Sequence, residues 1–149
     1  MNAQLRNLRI NRKLSEETDC FSATLYLDGK KAAEVGNRGQ GGPNEYHWVD
    51  RATETRATQY AESLPPVEFH GTKLSMDLDL WIANLLQAAD ERKQKLGWCK
   101  KATMFRLKGD DPGVYRSIAV PFTANVKAHL VAKHGGQLEE ILNETLAAE

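Results

Sequence analysis

The sequence predicts one antiparallel α+β domain over residues 1–149, with elements in the order βββ-αα-ββ-αα. Three observations predict it. Two stretches of period-two alternation close on turn signals, at Asp28-Gly29 and in "GDDPG" (109–113). Two longer stretches between them repeat their apolar residues at helical spacing. Strands that come in hairpins and helices that come in pairs do not make the single βαβ crossovers of a parallel sheet.

The first strand is expected within 4–14, where Leu8, Ile10 and Leu14 share one parity and Arg9 and Lys13 the other. In the next, Phe21, Ala23, Leu25 and Leu27 alternate with Cys20, Ser22, Thr24 and Tyr26. Asp28-Gly29 then reverses the chain. A two-residue turn pairs Leu25 with Ala32 and turns Glu34 toward the apolar face. A three-residue loop, Leu27-Asp28-Gly29, pairs Ala23 with Ala33 and Phe21 with Val35, and keeps that face apolar. The second register is therefore expected.

"VGNRGQGGPNEYHW" (35–48) reads as a long loop from strand to helix. Asp50 is the expected N-cap of the first helix. Val49, Ala52, Arg56, Ala57, Tyr60, Ala61 and Leu64 give it a stripe, and Pro65-Pro66 stops it. The second helix is expected from near Ser75, with Leu78, Trp81, Ile82, Leu85 and Ala89 buried and Gly97 at its C-terminal cap. Thr103, Phe105 and Leu107 then alternate against Met104, Arg106 and Lys108, and "VYRSIAVPF" returns as the partner strand. Thr123 caps a helix with Val126, Leu130 and Val131 that ends at Gly135-Gly136. A last helix is expected to carry Leu138, Ile141, Leu142 and Leu146.

Composition excludes several classes. The chain has 149 residues, 41% of them hydrophobic and 27% charged, which suits one globular domain. Its net charge is zero, unlike an acidic DNA mimic or a protein held to nucleic acid by overall charge. Cys20 and Cys99 make no disulfide framework and no zinc motif. The N-terminus lacks the apolar stretch of a secretory signal, and no run reaches the ~18 apolar residues of a spanning helix. A cytoplasmic protein with free thiols, no cofactor and no membrane partner is expected.

The phrases "KLSEET", "FSATLYLDGKK" and "GQGGPNEYHW" together resemble small proteins of phages and other mobile elements, over the N-terminal third of the chain. The resemblance implies a context, interaction with host or defence machinery. It transfers no activity and no functional residue.

Two stretches carry candidate binding residues. In the Gly-rich loop, Gly39, Gly41 and Gly42 allow a nest of backbone N–H groups for an anion, with Arg38 as counter-charge. Tyr46 and His47 at its exit suit a flat or anionic surface. The bland alternative is a connector anchored by Trp48. Walker A and dinucleotide fingerprints are both absent. In the second stretch, 92–116, eight cations (Lys100, Lys101, Arg106, Lys108 and Arg116 among them) stand against Asp110 and Asp111, a balance of +6. Residues 135–149 carry four glutamates and no cation, a balance of −4. The basic stretch is either a binding face, with Trp98 or Tyr115 stacking nearby, or a solvated face paired with the acidic tail.

Enzyme chemistry has little support. "GWCKK" lacks a resolving cysteine, although the flanking lysines are expected to lower the Cys99 pKa. His129 and His134, five residues apart, do not share a helix face. The function expected first is a non-enzymatic interaction protein that engages or inhibits a host protein complex. The second is a nucleic-acid or nucleotide binder that uses the Gly-rich loop and the basic strand face. The third is a small nuclease or hydrolase built on His47.

Overall fold

The computed structural model describes residues 1–149 as an α+β protein with four α-helices and three sheets, all antiparallel. Two compact units divide the chain, Met1–Ala89 and Asp90–Glu149.

The first unit is a four-stranded sheet in the order β1-β2-β3-β4, with β1 Ala3–Ile10, β2 Cys20–Leu27, β3 Lys30–Arg38 and β4 Glu45–Trp48. Helices α1 (Arg51–Ser63) and α2 (Leu78–Cys99) follow. Ala57 and Ala61 of α1 and Trp81, Ile82 and Leu86 of α2 share one core with Phe21, Ala23, Leu25, Leu27, Ala33 and Val35. The helices meet the sheet through small residues on α1 and large ones on α2. Leu85 is only half-buried and Val49 is exposed, so the true stripes are narrower than the spacing predicts.

Two bulges decide the registers. In β1 a register shift lies between Arg6 and Arg9, where Asn7 takes a φ of 53°. Parity flips across it, so Ala3 and Leu5 before it and Leu8 and Ile10 after it all pack on the core. Leu14 lies beyond the strand and is exposed.

At the hairpin, Asp28 (φ 50°) and Gly29 (φ 80°) form a two-residue turn of the mirror-image kind that suits strand twist. A second bulge between Leu25 and Tyr26 then pairs Leu25 with Ala33, Ala23 with Val35 and Phe21 with Asn37. The expected three-residue loop, with Ala23 opposite Ala33, is therefore corrected. The bulge buries Ala32 and Ala33 together and leaves Glu34 outside, where its carboxylate accepts from Thr24 Oγ1 at 3.0 Å. The apolar face survives, by a different device.

The 35–48 stretch is a hairpin, not a long strand-to-helix loop. Val35–Arg38 belongs to β3, and β4 pairs back on it, Val35 with Tyr46 and Ala33 with Trp48. Asp50 caps α1 as expected, accepting from the Thr53 N–H at 2.6 Å. After the prolines a short hairpin appears that the periodicity did not show, β5 (Val67–Phe69) and β6 (Thr72–Leu74) around His70-Gly71. Asp77 caps α2 at the Leu80 N–H (2.8 Å), two residues later than expected from Ser75. Gly97 lies inside α2, which runs on to Cys99.

The second unit is a three-stranded sheet in the order β8-β7-β9, from β7 (Thr103–Leu107), β8 (Arg116–Ile118) and β9 (Leu138–Ile141). Helix α3 (Ala124–His134) begins at Thr123, whose hydroxyl accepts from the Val126 N–H, and stops at Gly135. Phe105, Leu130 and Ile141 form the core. The last predicted helix is corrected to a strand and a shorter helix, α4 (Leu142–Ala148). Leu138 and Ile141 are three residues apart, the spacing that suggests a helix, yet β9 buries Ile141 against β7 while Glu140 lies opposite Arg106.

Candidate functional site

The residues around the Gly-rich turn close on one another. Asn37, 9% exposed, is the hub. Its Oδ1 accepts from Thr18 Oγ1 at 2.7 Å and from the Gly39 N–H at 2.8 Å. Its Nδ2 donates to the Gly42 carbonyl (3.0 Å) and to Asn44 Oδ1 (3.1 Å). The Gly41 N–H donates to Thr18 Oγ1 at 3.3 Å, and the Gly39 carbonyl accepts from the N–H groups of Glu16 and Glu17. The N–H groups of Gly39 and Gly41 thus already serve acceptors within the chain.

Gly39 (φ 82°) and Gly41 (φ 88°) are required by the turn itself, and a Cβ on Gly39 would strike the Leu14 carbonyl. Tyr46 is tied down as well: its hydroxyl donates to Asp79 Oδ1 at 2.5 Å. Burial, and then this carboxylate, push its pKa far up. Its ring stacks on Trp48 with centroids 5.5 Å apart. Arg38 pairs with Glu45 at 3.3 Å, and His47 is exposed opposite Glu34, which is bound to Lys31 at 2.5 Å. A cavity of about 370 Å³ beside this turn is lined by Asp19, Asp77 and Asp79 together with Asn37 and Asn44. The rest of its wall is largely apolar, from Phe21, Leu80, Ala83 and Leu86, and no cation lines it.

The cationic residues Lys100, Lys101, Arg106, Lys108 and Arg116 belong to the second unit. The acidic tail neutralises part of that stretch. Arg106 sits 3.6 Å from Glu140, and Arg92 3.3 Å from Glu149. Arg116 binds Asp110 through two hydrogen bonds, at 2.9 and 2.8 Å. That guanidinium, with the Leu107 N–H, holds the Asp110 carboxyl well below the usual carboxylate range. Lys100, Lys101 and Lys108 are exposed and form no ion pair.

The second unit has an open cleft of about 380 Å³, lined by Trp98, Ala102, Met104, Gly113, Tyr115 and Ser117, with Lys100 and Lys101 in the turn between Trp98 and Ala102. Met104 and Ser117 are paired residues of β7 and β8. Trp98 comes from the last turn of α2 and is 45% exposed; Val114, between two lining residues, is 58% exposed. The Lys95 ammonium lies 5.9 Å from the Tyr115 ring. The Tyr115 hydroxyl donates to Glu140 Oε2 at 3.3 Å, and burial with that carboxylate raises its pKa.

Asn143 of α4 holds the turn that presents these groups. Its Oδ1 accepts from the Met104 N–H (2.9 Å), and its Nδ2 donates to the carbonyls of Ala102 (3.0 Å) and Cys99 (3.4 Å). Cys99 differs from expectation: burial pushes its thiol pKa up, and no lowering by the flanking lysines emerges. Met104, Ser117, Gly113, Glu140 and Asn143 are not among the candidate binding residues that the sequence offers. For Glu140 the sequence holds no local signal, because apolar residues three apart in "LEEI" (138–141) fit a helix as well as an irregular strand.

The fold defines an antiparallel α+β protein, and no helix is long and apolar enough to cross a membrane. No cluster of three His, Cys, Asp or Glu side chains is arranged to hold a metal ion. No protein-family model matches the chain, and no curated protein or solved structure is significantly similar to it.

Proposed function

We propose that the protein is a non-enzymatic interaction protein that engages a host protein complex through the open face of its second unit. The observation that carries this reading is the cleft between Trp98, Met104 and Tyr115. It combines exposed aromatic and apolar surface with Lys100 and Lys101, which lie in the turn between Trp98 and Ala102 and form no ion pair. Large exposed aromatics beside cations are typical of binding surfaces. The Gly-rich turn serves a different purpose, since its hydrogen bonds are spent on holding β3, β4 and the segment before β2 together. A host complex as partner is the context that the phage-like phrases of the N-terminal third imply. The two free thiols suit a reducing cytoplasm.

The test is capture from a host lysate on the tagged full-length chain, with and without nuclease, against the Trp98→Ala/Tyr115→Ala variant. A protein complex that survives nuclease and is lost with the variant supports the reading. Equal capture by the variant refutes it. Nuclease-sensitive capture favours the nucleic-acid alternative, in which Lys100, Lys101 and Lys108 meet phosphates and Trp98 stacks on a base.

A further inference from the structure

Resting on that reading of the second unit's open face, we propose that the cleft takes an acidic peptide segment of the partner, anchored by one apolar side chain inserted between Trp98, Met104 and Tyr115. Shape supplies the first argument. Aromatic and thioether side chains and the small residues Ala102 and Gly113 line a space of about 380 Å³ that admits one large side chain. Hydrogen bonding supplies the second. Neither the Trp98 indole N–H nor the Ser117 hydroxyl bonds within the chain, so both are available to the carbonyls of an extended backbone.

Charge selects the sign of the peptide. The arginines of this unit are engaged: Arg92 with Glu149, Arg106 with Glu140 and Arg116 with Asp110. Lys95, Lys100 and Lys101 have no carboxylate partner. The Lys95 ammonium lies by the Tyr115 ring, and Lys100 and Lys101 occupy the turn between Trp98 and Ala102. Carboxylates flanking the anchor residue would complement these three ammonium groups. The same arrangement disfavours a nucleic-acid strand. The guanidinium forks that suit phosphates are occupied, and Glu140, bonded to Tyr115, would face a phosphate run along the sheet. One hydroxyl and one indole N–H are too few to read a base edge.

The test uses the full-length chain and fluorescence anisotropy of a labelled peptide of glutamates and aspartates with one central phenylalanine. The controls are the same peptide with alanine at the centre, and a labelled oligothymidylate. The expected result is salt-sensitive binding of the phenylalanine peptide, weakened roughly tenfold or more by the alanine replacement. Trp98→Ala and Lys100→Glu/Lys101→Glu should each abolish it. All three side chains are exposed, so both variants should keep the fold. Equal binding of the alanine peptide, no peptide binding, or preference for oligothymidylate overturns the inference. If the peptide fails while Trp98→Ala/Tyr115→Ala still loses the captured complex, only the acidic-peptide inference falls. If both fail, the binding-face reading falls with it.

Discussion

Replacing Asn143 by leucine should loosen the turn that builds the cleft without opening a cavity, because leucine keeps the branched shape of the amide side chain and is no smaller. The wild-type amide makes two short hydrogen bonds, from the Met104 N–H at 2.9 Å and to the Ala102 carbonyl at 3.0 Å, and a longer one to Cys99. Each short bond contributes about 1 kcal/mol net, and a half-buried N–H left unpaired costs about 1–3 kcal/mol. The variant should therefore lose about 2–4 kcal/mol. Urea unfolding at fixed pH, followed by far-ultraviolet circular dichroism and by tryptophan emission, reads this as a fall in midpoint. Peptide or partner binding should weaken too, since Met104 and Ala102 line the cleft. A stability within about 0.5 kcal/mol of wild type would refute the reasoning, for that is the range of changes at indifferent surface positions.

Trp81→Ala should cost about 3–5 kcal/mol, because the indole is buried against Tyr60 in the first unit's core; an unchanged thermal midpoint contradicts this. Alanine at the turn glycines should destabilise in the order Gly39, Gly41, Gly42. At Gly39 a Cβ meets the Leu14 backbone, at Gly41 only the movable Glu17 side chain, and at Gly42 nothing. Equal melting temperatures for the three variants would contradict that order. Asp110, whose pKa is lowered by Arg116 and then by the Leu107 N–H, contributes stability that is fully present above its unfolded value, about pH 4. That contribution disappears as pH falls toward the folded value, so Asp110→Asn should flatten the acid limb of the stability–pH curve. An acid limb as steep as wild type argues against it.

Short-range chemistry determined much of this protein. The α+β class, the caps at Asp50 and Thr123, the stops at Pro65-Pro66 and Gly135, and the inward Thr103 and Phe105 are legible because each depends on neighbours within a few residues. Charge counting likewise located the basic stretch and the acidic tail. Only the tertiary structure decided what is non-local. A bulge at Asn7 and another at Ala32 reset registers that parity alone cannot fix, because one extra residue flips every side chain beyond it. "LEEI" is short enough for helix or strand, and pairing with β7 settles it, bringing Glu140 to Arg106. The Gly-rich turn shows the same limit at a candidate site. Glycine advertises open N–H groups, but whether they face a ligand or the chain depends on Thr18 and Asn37, one before and one after β2 in sequence and 2.7 Å apart in space. The cleft draws on the end of α2, two strands and, through Asn143, the last helix, so its existence is a property of packing that no local pattern encodes.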